Sequence, residues 1–168
     1  MKTLAPEIRP ETAADAAAVE ALHEFAFGPG RFARTAFRLR ERVPYDPHLS
    51  LVAMVGPRLA GSIRLSPIRI GATPALLLGP LAVDPDHGRR GLGSALVRLS
   101  LAAARERGHE LVLLVGDAAY YGRLGFHHVP PTRVRLPGPV DTHRVLIAEL
   151  VAGAAARAEG LVAPVRSA

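Results

Sequence analysis

The sequence predicts a mixed α/β fold, and three observations carry that reading. Strand-like runs follow one another through a hairpin signal in the first half, and strand then alternates with helix in the second. The 168 residues, 49% of them hydrophobic, suffice for one core. No internal repeat or linker divides the chain. Residues 1–150 are expected to form one domain, with a tail over 151–168 packed on it or partly flexible.

Residues 7–9 read as a short strand. Thr12-Ala-Ala-Asp15 then gives a helix-start signal of the capping-box type. Val19, Leu22, Phe25 and Ala26 recur at helical spacing until Gly28-Pro29-Gly30 breaks the pattern. Phe32 to Arg42 predicts a second short helix, and Pro44 to Pro47 a loop. Leu49–Val55 and Leu59–Ile70 are β-rich runs around Gly56-Pro57-Arg58, a hairpin signal. Pro67 marks a bulge or an edge position. Leu76–Val83 is a third, strongly apolar strand, and its Gly79-Pro80 should interrupt the hydrogen-bond ladder.

A loop rich in Gly and Arg, Asp84 to Ser94, opens into a helix with apolar residues at Leu92, Leu96, Leu99 and Ala103, closing at Gly108. Leu111–Val115 reads as a buried strand and Asp117–Leu124 as a short helix stopped by Gly125. Extended chain resumes at Phe126, and Arg144–Leu150 is expected as the last strand. The predicted order is β-α-α-β-β-β-α-β-α-β-β.

Composition narrows the chemistry. No apolar run approaches the ~20 residues of a membrane span, since the longest, Ala75–Val83, contains Gly79-Pro80. Glu7, Arg9 and Glu11 stand where a signal peptide needs apolar residues, so a cytoplasmic location and no membrane partner are expected. There is no cysteine, which excludes disulfides, thiolate metal sites and any acyl-cysteine intermediate. The seven His make no ligand pattern, and no metal is expected. The net charge is +6, with Lys2 the only lysine among 21 basic residues. The arginines are scattered and aromatics are only 5% without Trp, a poor supply for stacking bases, so no nucleic-acid partner is expected.

The informative unit is a strand, then Arg89-Arg90-Gly91-Leu92-Gly93-Ser94, then a helix. Glycines allow a tight turn and close approach of a ligand to the backbone. The unpaired N–H groups of the helix start make an anion site, and two arginines add charge suited to phosphate oxygens. A phosphate or pyrophosphate ligand is expected. A nucleoside-triphosphate loop needs Lys-Ser/Thr after its last Gly, and Ser94-Ala95 does not supply it. A dinucleotide fingerprint counted from Gly91 meets Leu96 at its third glycine site.

Leu81-Ala-Val-Asp-Pro-Asp-His-Gly-Arg-Arg-Gly-Leu-Gly-Ser-Ala-Leu96 resembles the acetyl-CoA-binding motif of the GNAT N-acetyltransferase superfamily, Gln/Arg-x-x-Gly-x-Gly/Ala after a strand ending in apolar-x-Val-x-Pro. Ala119-Tyr-Tyr-Gly-Arg-Leu-Gly-Phe126 is similar to the family's Tyr-x-x-x-Gly-Phe block, and the two occur in the family's order. Gly116-Asp117-Ala-Ala-Tyr-Tyr, Leu49-Ser-Leu-Val-Ala53 and Pro80-Leu-Ala-Val83 most resemble the YhbS-like branch of predicted acetyltransferases. The resemblance runs from about residue 7 to residue 150. It departs from the family at Gly88, where the motif has Gln or Arg. No ionisable residue stands on the fourth strand, where a glutamate is common, and Asp117 follows the fifth strand where many relatives carry Asn.

The resemblance implies a central mixed sheet of six to seven strands, flanked by about four helices and splayed between strands four and five. It implies transfer of an acetyl group from acetyl-CoA to a primary amine, on a small molecule or peptide, by a monomer or homodimer. Backbone groups of Leu81, Ala82 and Val83 would pair with the pantetheine arm as with an added strand. Arg89, Arg90, Gly91, Leu92, Gly93 and Ser94 would cradle the pyrophosphate. Tyr121, four residues before Gly125, would be the acid that protonates the leaving thiolate, and Tyr120 is left as a packing residue. Without cysteine the transfer is expected to be direct, in a ternary complex. No base is identified, and Glu24, Glu41 and His143 are candidates by residue type alone. A CoA-binding sensor that has lost turnover is the alternative.

Overall fold

The computed structural model describes residues 4–165, apart from the side chains of residues 88–90. Arg89 and Arg90, assigned to a pyrophosphate cradle by sequence, therefore lie outside the described side chains.

Strand β1 (Glu7–Pro10) leads into one 3-10 turn and helix α1 (Ala16–Phe27). The turn is held as the sequence predicts. The Thr12 N–H and hydroxyl both donate to Asp15 Oδ2, at 2.8 and 3.1 Å, while the Arg9 guanidinium grips the same carboxylate at 2.7 and 2.9 Å. Helix α2 (Thr35–Glu41) follows, then three antiparallel strands, β2 (Leu51–Val55), β3 (Arg58–Ile70) and β4 (Thr73–Val83). Helix α3 (Leu92–Glu106), strand β5 (Leu111–Val115) and the single turn α4 (Ala118–Tyr121) complete a β-α-β-α sequence. The remaining strands are β6 (His127–His128), β7 (Val134–Arg135), β8 (Val145–Glu149) and β9 (Gly160–Pro164).

The sheet runs β1-β2-β3-β4-β5-β8-β6, with only β4–β5 parallel along that path. Strand alternation divides the core between its faces. Leu65, Leu76, Val112 and Leu114 pack under α3, while Ile68, Leu77, Leu113 and Ile147 fill the opposite side.

Three local expectations are corrected. The buried face of α1 is Val19, Leu22, His23 and Phe27, whereas Phe25 is 72% exposed. On α3 the inward stripe is Leu92, Leu96, Val97, Ser100, Leu101 and Ala104, and Leu99 faces water. In both helices an apolar residue stands one step off the face that packing selected. Strand β8 is not the last. The tail folds back as β9, which pairs with β3 through Ile68↔Pro164 and Ile70↔Val162 and in parallel with β7. Pro67 sits between the reach of β2, which ends at Ile63, and that of β9, which begins at Ile68. That side of β3 is locally an edge, where a missing N–H costs no ladder bond.

The feature that positions the site is a defect in β4. Against β3 the register moves from Ile63↔Leu81 to Leu65↔Leu78, so Gly79 and Pro80 together oppose Arg64. Pairing of β4 with β5 is confined to Leu76↔Val112 and Leu77↔Leu113. Beyond Leu77 the two strands part. A bulge bends its strand and ends regular pairing on the far side, which accounts for the split. Among the described residues no helix is long and apolar enough to cross a membrane.

Candidate functional site

A cavity of about 800 Å³ fills the split between β4 and β5. Leu78 and Leu81 of β4, Leu114 of β5, Phe37 and Arg40 of α2 and Tyr121 of α4 line it. On the wall formed by β4 the Asp84 N–H donates to Ala60 O at 2.8 Å, toward β3. The two-residue alternation of antiparallel bonding then turns the peptide groups of Leu81 and Val83 the other way, into the split. Ala82, paired with Ser62, turns its peptide group toward β3 and buries its side chain, so the sequence expectation that its backbone meets a ligand is corrected.

At the end of the split stands the N-terminus of α3. Gly91 adopts a left-handed conformation with φ 71°, which lets the 3-10 turn Pro85–Arg90 pass directly into the helix. The first intrahelical bond, Ala95 N–H to Gly91 O at 3.0 Å, leaves the preceding N–H groups of Leu92, Gly93 and Ser94 without helical acceptors. These groups and the helix dipole make the place an anion site. Gly93 leaves room for the Tyr120 hydroxyl, which a Cβ there would approach to 2.9 Å.

The two tyrosines do different things. A helix rotates successive side chains by about 100° per residue. The Tyr120 hydroxyl therefore reaches Ser94 Oγ at 3.2 Å, at the helix start, while Tyr121 packs edge-on against Phe126 with centroids 5.8 Å apart. Tyr120, read as packing from sequence, is thus a polar member of the site. Burial, with Tyr120 alongside, pushes the Tyr121 phenol up to about 12, so it carries its proton at neutral pH.

Arg40, one of the scattered arginines, has no role in the sequence reading. Its guanidinium lies against Gly79, donates weakly to Leu78 O at 3.4 Å and stacks 4.9 Å from the Phe37 centroid. Gly79, with φ 125°, leaves the room it occupies. The proposed bases fare differently. Glu24 lies 3.5 Å from Arg31 and His143 stacks on His128, so neither reaches the split. Glu41 lines a smaller cavity of about 210 Å³ beyond Arg40, together with His23, Tyr45 and Arg64.

His23 is 2% exposed, and its Nε2 has no partner among the described residues. Burial, and the nearby guanidinium groups of Arg64, Arg40 and Arg31, lower it to about 4 against the opposing pull of Glu11. Glu20 Oε1 lies 3.9 Å from Nδ1. A folded-state value below the unfolded ~6.5 means that the unfolded chain binds the extra proton. Stability is therefore expected to fall as pH drops from about 6.5 to about 4, and His23→Gln should flatten that limb in urea melts at stepped pH. An unchanged pH slope in the folded variant would remove His23 as its origin.

Residues 16–126 match the family model described as the acetyltransferase (GNAT) family. The chain belongs to the GNAT acetyltransferase family. It is 31% identical over 147 residues to the uncharacterized N-acetyltransferase YhbS of Escherichia coli K12, covering 82% of this chain and 84% of that one. The crystal structure of E. coli YhbS in complex with CoA superposes with a TM-score of 0.82 at 27% identity, over 98% of this chain and 92% of that chain. A GNAT acetyltransferase from Brucella melitensis in complex with acetyl-CoA gives 0.60 at 32% identity, over 73% and 83% of the two chains. The bulged fourth strand, the split and the helix start at its mouth are thus features of a GNAT acetyltransferase. Among the described residues no cluster of three His, Asp or Glu could hold a metal ion.

Proposed function

We propose that the chain transfers acetyl directly from acetyl-CoA to a primary amine while both substrates are bound. The observation that carries this reading is the unpaired edge of β4 running from the bulge to the start of α3. An extended amide arm can add to that edge as a strand, and its pyrophosphate then reaches the free N–H groups at the helix start.

In this reading the main chain of Leu81 and Val83 holds the pantetheine arm, with Ala82 between them bonded to β3. Leu92, Gly93 and Ser94 cradle the pyrophosphate after the turn at Gly91, and the Tyr120 hydroxyl supports Ser94. The amine nitrogen attacks the thioester carbon, the carbonyl oxygen gains negative charge near the Leu81 N–H, and the C–S bond breaks to release CoA thiolate. The amine's proton leaves to water or a base not yet assigned. Full proton transfer from a phenol raised to about 12 to the thiolate of a thiol with pKa ~8.5 is uphill. Tyr121 therefore acts as a hydrogen-bond donor to the sulfur as charge develops, and the thiol takes its proton later from solvent.

CoA binding without turnover is the second reading, favoured by the apolar composition of β4. Acetyl-CoA should raise the melting temperature by mass action, and NAD or ATP at equal concentration should do much less. A larger shift with NAD would overturn the cofactor assignment. Binding with no acetylation across amines of every charge class would favour the second reading.

A further inference from the structure

We propose that the amine acceptor carries a carboxylate, and that Arg40 is the residue that receives it. This rests on the acetyl-transfer reading and names the substrate class for the same cavity. Of the other arginines with buried or half-buried side chains, Arg133 donates to the carbonyls of Ala155, Ala156 and Ala158 at 3.0 to 3.3 Å, and Arg31 and Arg64 have carboxylates. Arg64 grips Glu11 through two bonds of 3.0 Å and reaches Glu20 at 3.2 Å, while Arg31, 4% exposed, donates to Gly28 O at 2.8 Å and lies 3.5 Å from Glu24. Arg40 differs. Among the described residues its Nε is buried without a partner, its one hydrogen bond is the long contact to Leu78 O, and no carboxylate lies within 4 Å.

A desolvated guanidinium without an anion is costly, and a planar fork of donors is the group best matched to a carboxylate. Its position makes the missing anion a substrate group. Arg40 lines both the main cavity and the smaller one beyond it, at the β4 bulge and on the side of α2, away from the helix start that suits the pyrophosphate. The rest of the main cavity agrees in sign. Its cationic side chains are Arg34, Arg40 and Arg144. The two carboxylates on its wall, Asp117 and Asp141, are occupied in capping the N–H groups of Ala119 and His143 at 2.9 and 3.0 Å. A polyamine or an aminoglycoside would be repelled on balance, since three guanidinium groups outnumber two carboxylates there. A small amine with a carboxylate a few bonds away, as in an amino acid, would not.

The test needs no knowledge of the natural acceptor. Conjugates are made in which the CoA sulfur carries –CH2–C(O)–NH–(CH2)n–COO⁻, with n from one to three, each matched by its carboxamide. Their affinities are compared with that of CoA by calorimetry. The best carboxylate should bind about 10- to 100-fold tighter than its carboxamide, the range for a charge-assisted pair in a desolvated site. In Arg40→Gln that ratio should fall to near one, and Arg40→Lys should keep part of it. A ratio near one in the unmodified protein overturns the inference, whether or not the variants fold, and so does a preference that survives in Arg40→Gln. Failure of CoA itself to bind would instead sink the acetyl-transfer reading, and this inference with it.

Discussion

Gly93→Val is expected to reduce acetyl-CoA affinity by about 100-fold or more while leaving the fold intact. The valine Cβ would stand 2.9 Å from the Tyr120 hydroxyl, itself bonded to Ser94, and its methyl groups would cover the N–H groups of the first turn of α3. Losing two or more hydrogen bonds to a phosphate, each worth roughly 1.5–3 kcal/mol, accounts for that loss. The helix should tolerate the change, since valine's propensity is no worse than glycine's. Gly91→Val is less informative, because its left-handed backbone adds strain of its own. Calorimetry with acetyl-CoA and circular dichroism together decide the matter. A folded variant with unchanged affinity would mean that the phosphates bind elsewhere.

Tyr121→Phe should lower kcat by about 100-fold or more, within the range of a donor acting in the transition state, with little change in melting temperature or in KM for acetyl-CoA. Phenylalanine keeps the edge contact with Phe126 and the packing over Gly116, so only the hydroxyl is lost. With the phenol raised to about 12, its ionisation should not create a falling limb in kcat between pH 7 and 10. Tyr120→Phe should do the reverse, weakening acetyl-CoA binding through its bond to Ser94 and leaving kcat nearly intact. If Tyr120→Phe cuts kcat and Tyr121→Phe is silent, the donor is Tyr120. Two silent variants, with chemistry rate-limiting, would make both tyrosines packing residues.

Much of this architecture is legible from local signals. Thr12 and Asp15, Gly56-Pro57-Arg58, Gly79-Pro80 and Gly91-Leu-Gly93 each announce a backbone event, and the structure has a cap, a hairpin, a bulge and a helix start there. The tyrosine block was legible as a motif, but not the division of labour within it. Adjacent residues on one turn look equivalent until the neighbouring α3 is in place. Strand β9 was illegible for a related reason. Five residues with a proline and an alanine carry little intrinsic strand preference, and β9 forms because β3 extends beyond β2 and leaves an edge to cover.

By itself, then, the sequence determined the order of elements as far as α4, the family, the glycine turn at the cofactor end and the absence of cysteine chemistry, because these depend on neighbours along the chain. The tertiary structure alone decided that Arg40 faces the bulge without a carboxylate, that Arg64 is neutralised by Glu11, and that Tyr120 meets Ser94. An arginine reads the same in sequence whether or not it is paired. Pairing depends on contacts between residues as far apart as 11 and 64, and only the packed sheet and helices bring such partners within reach.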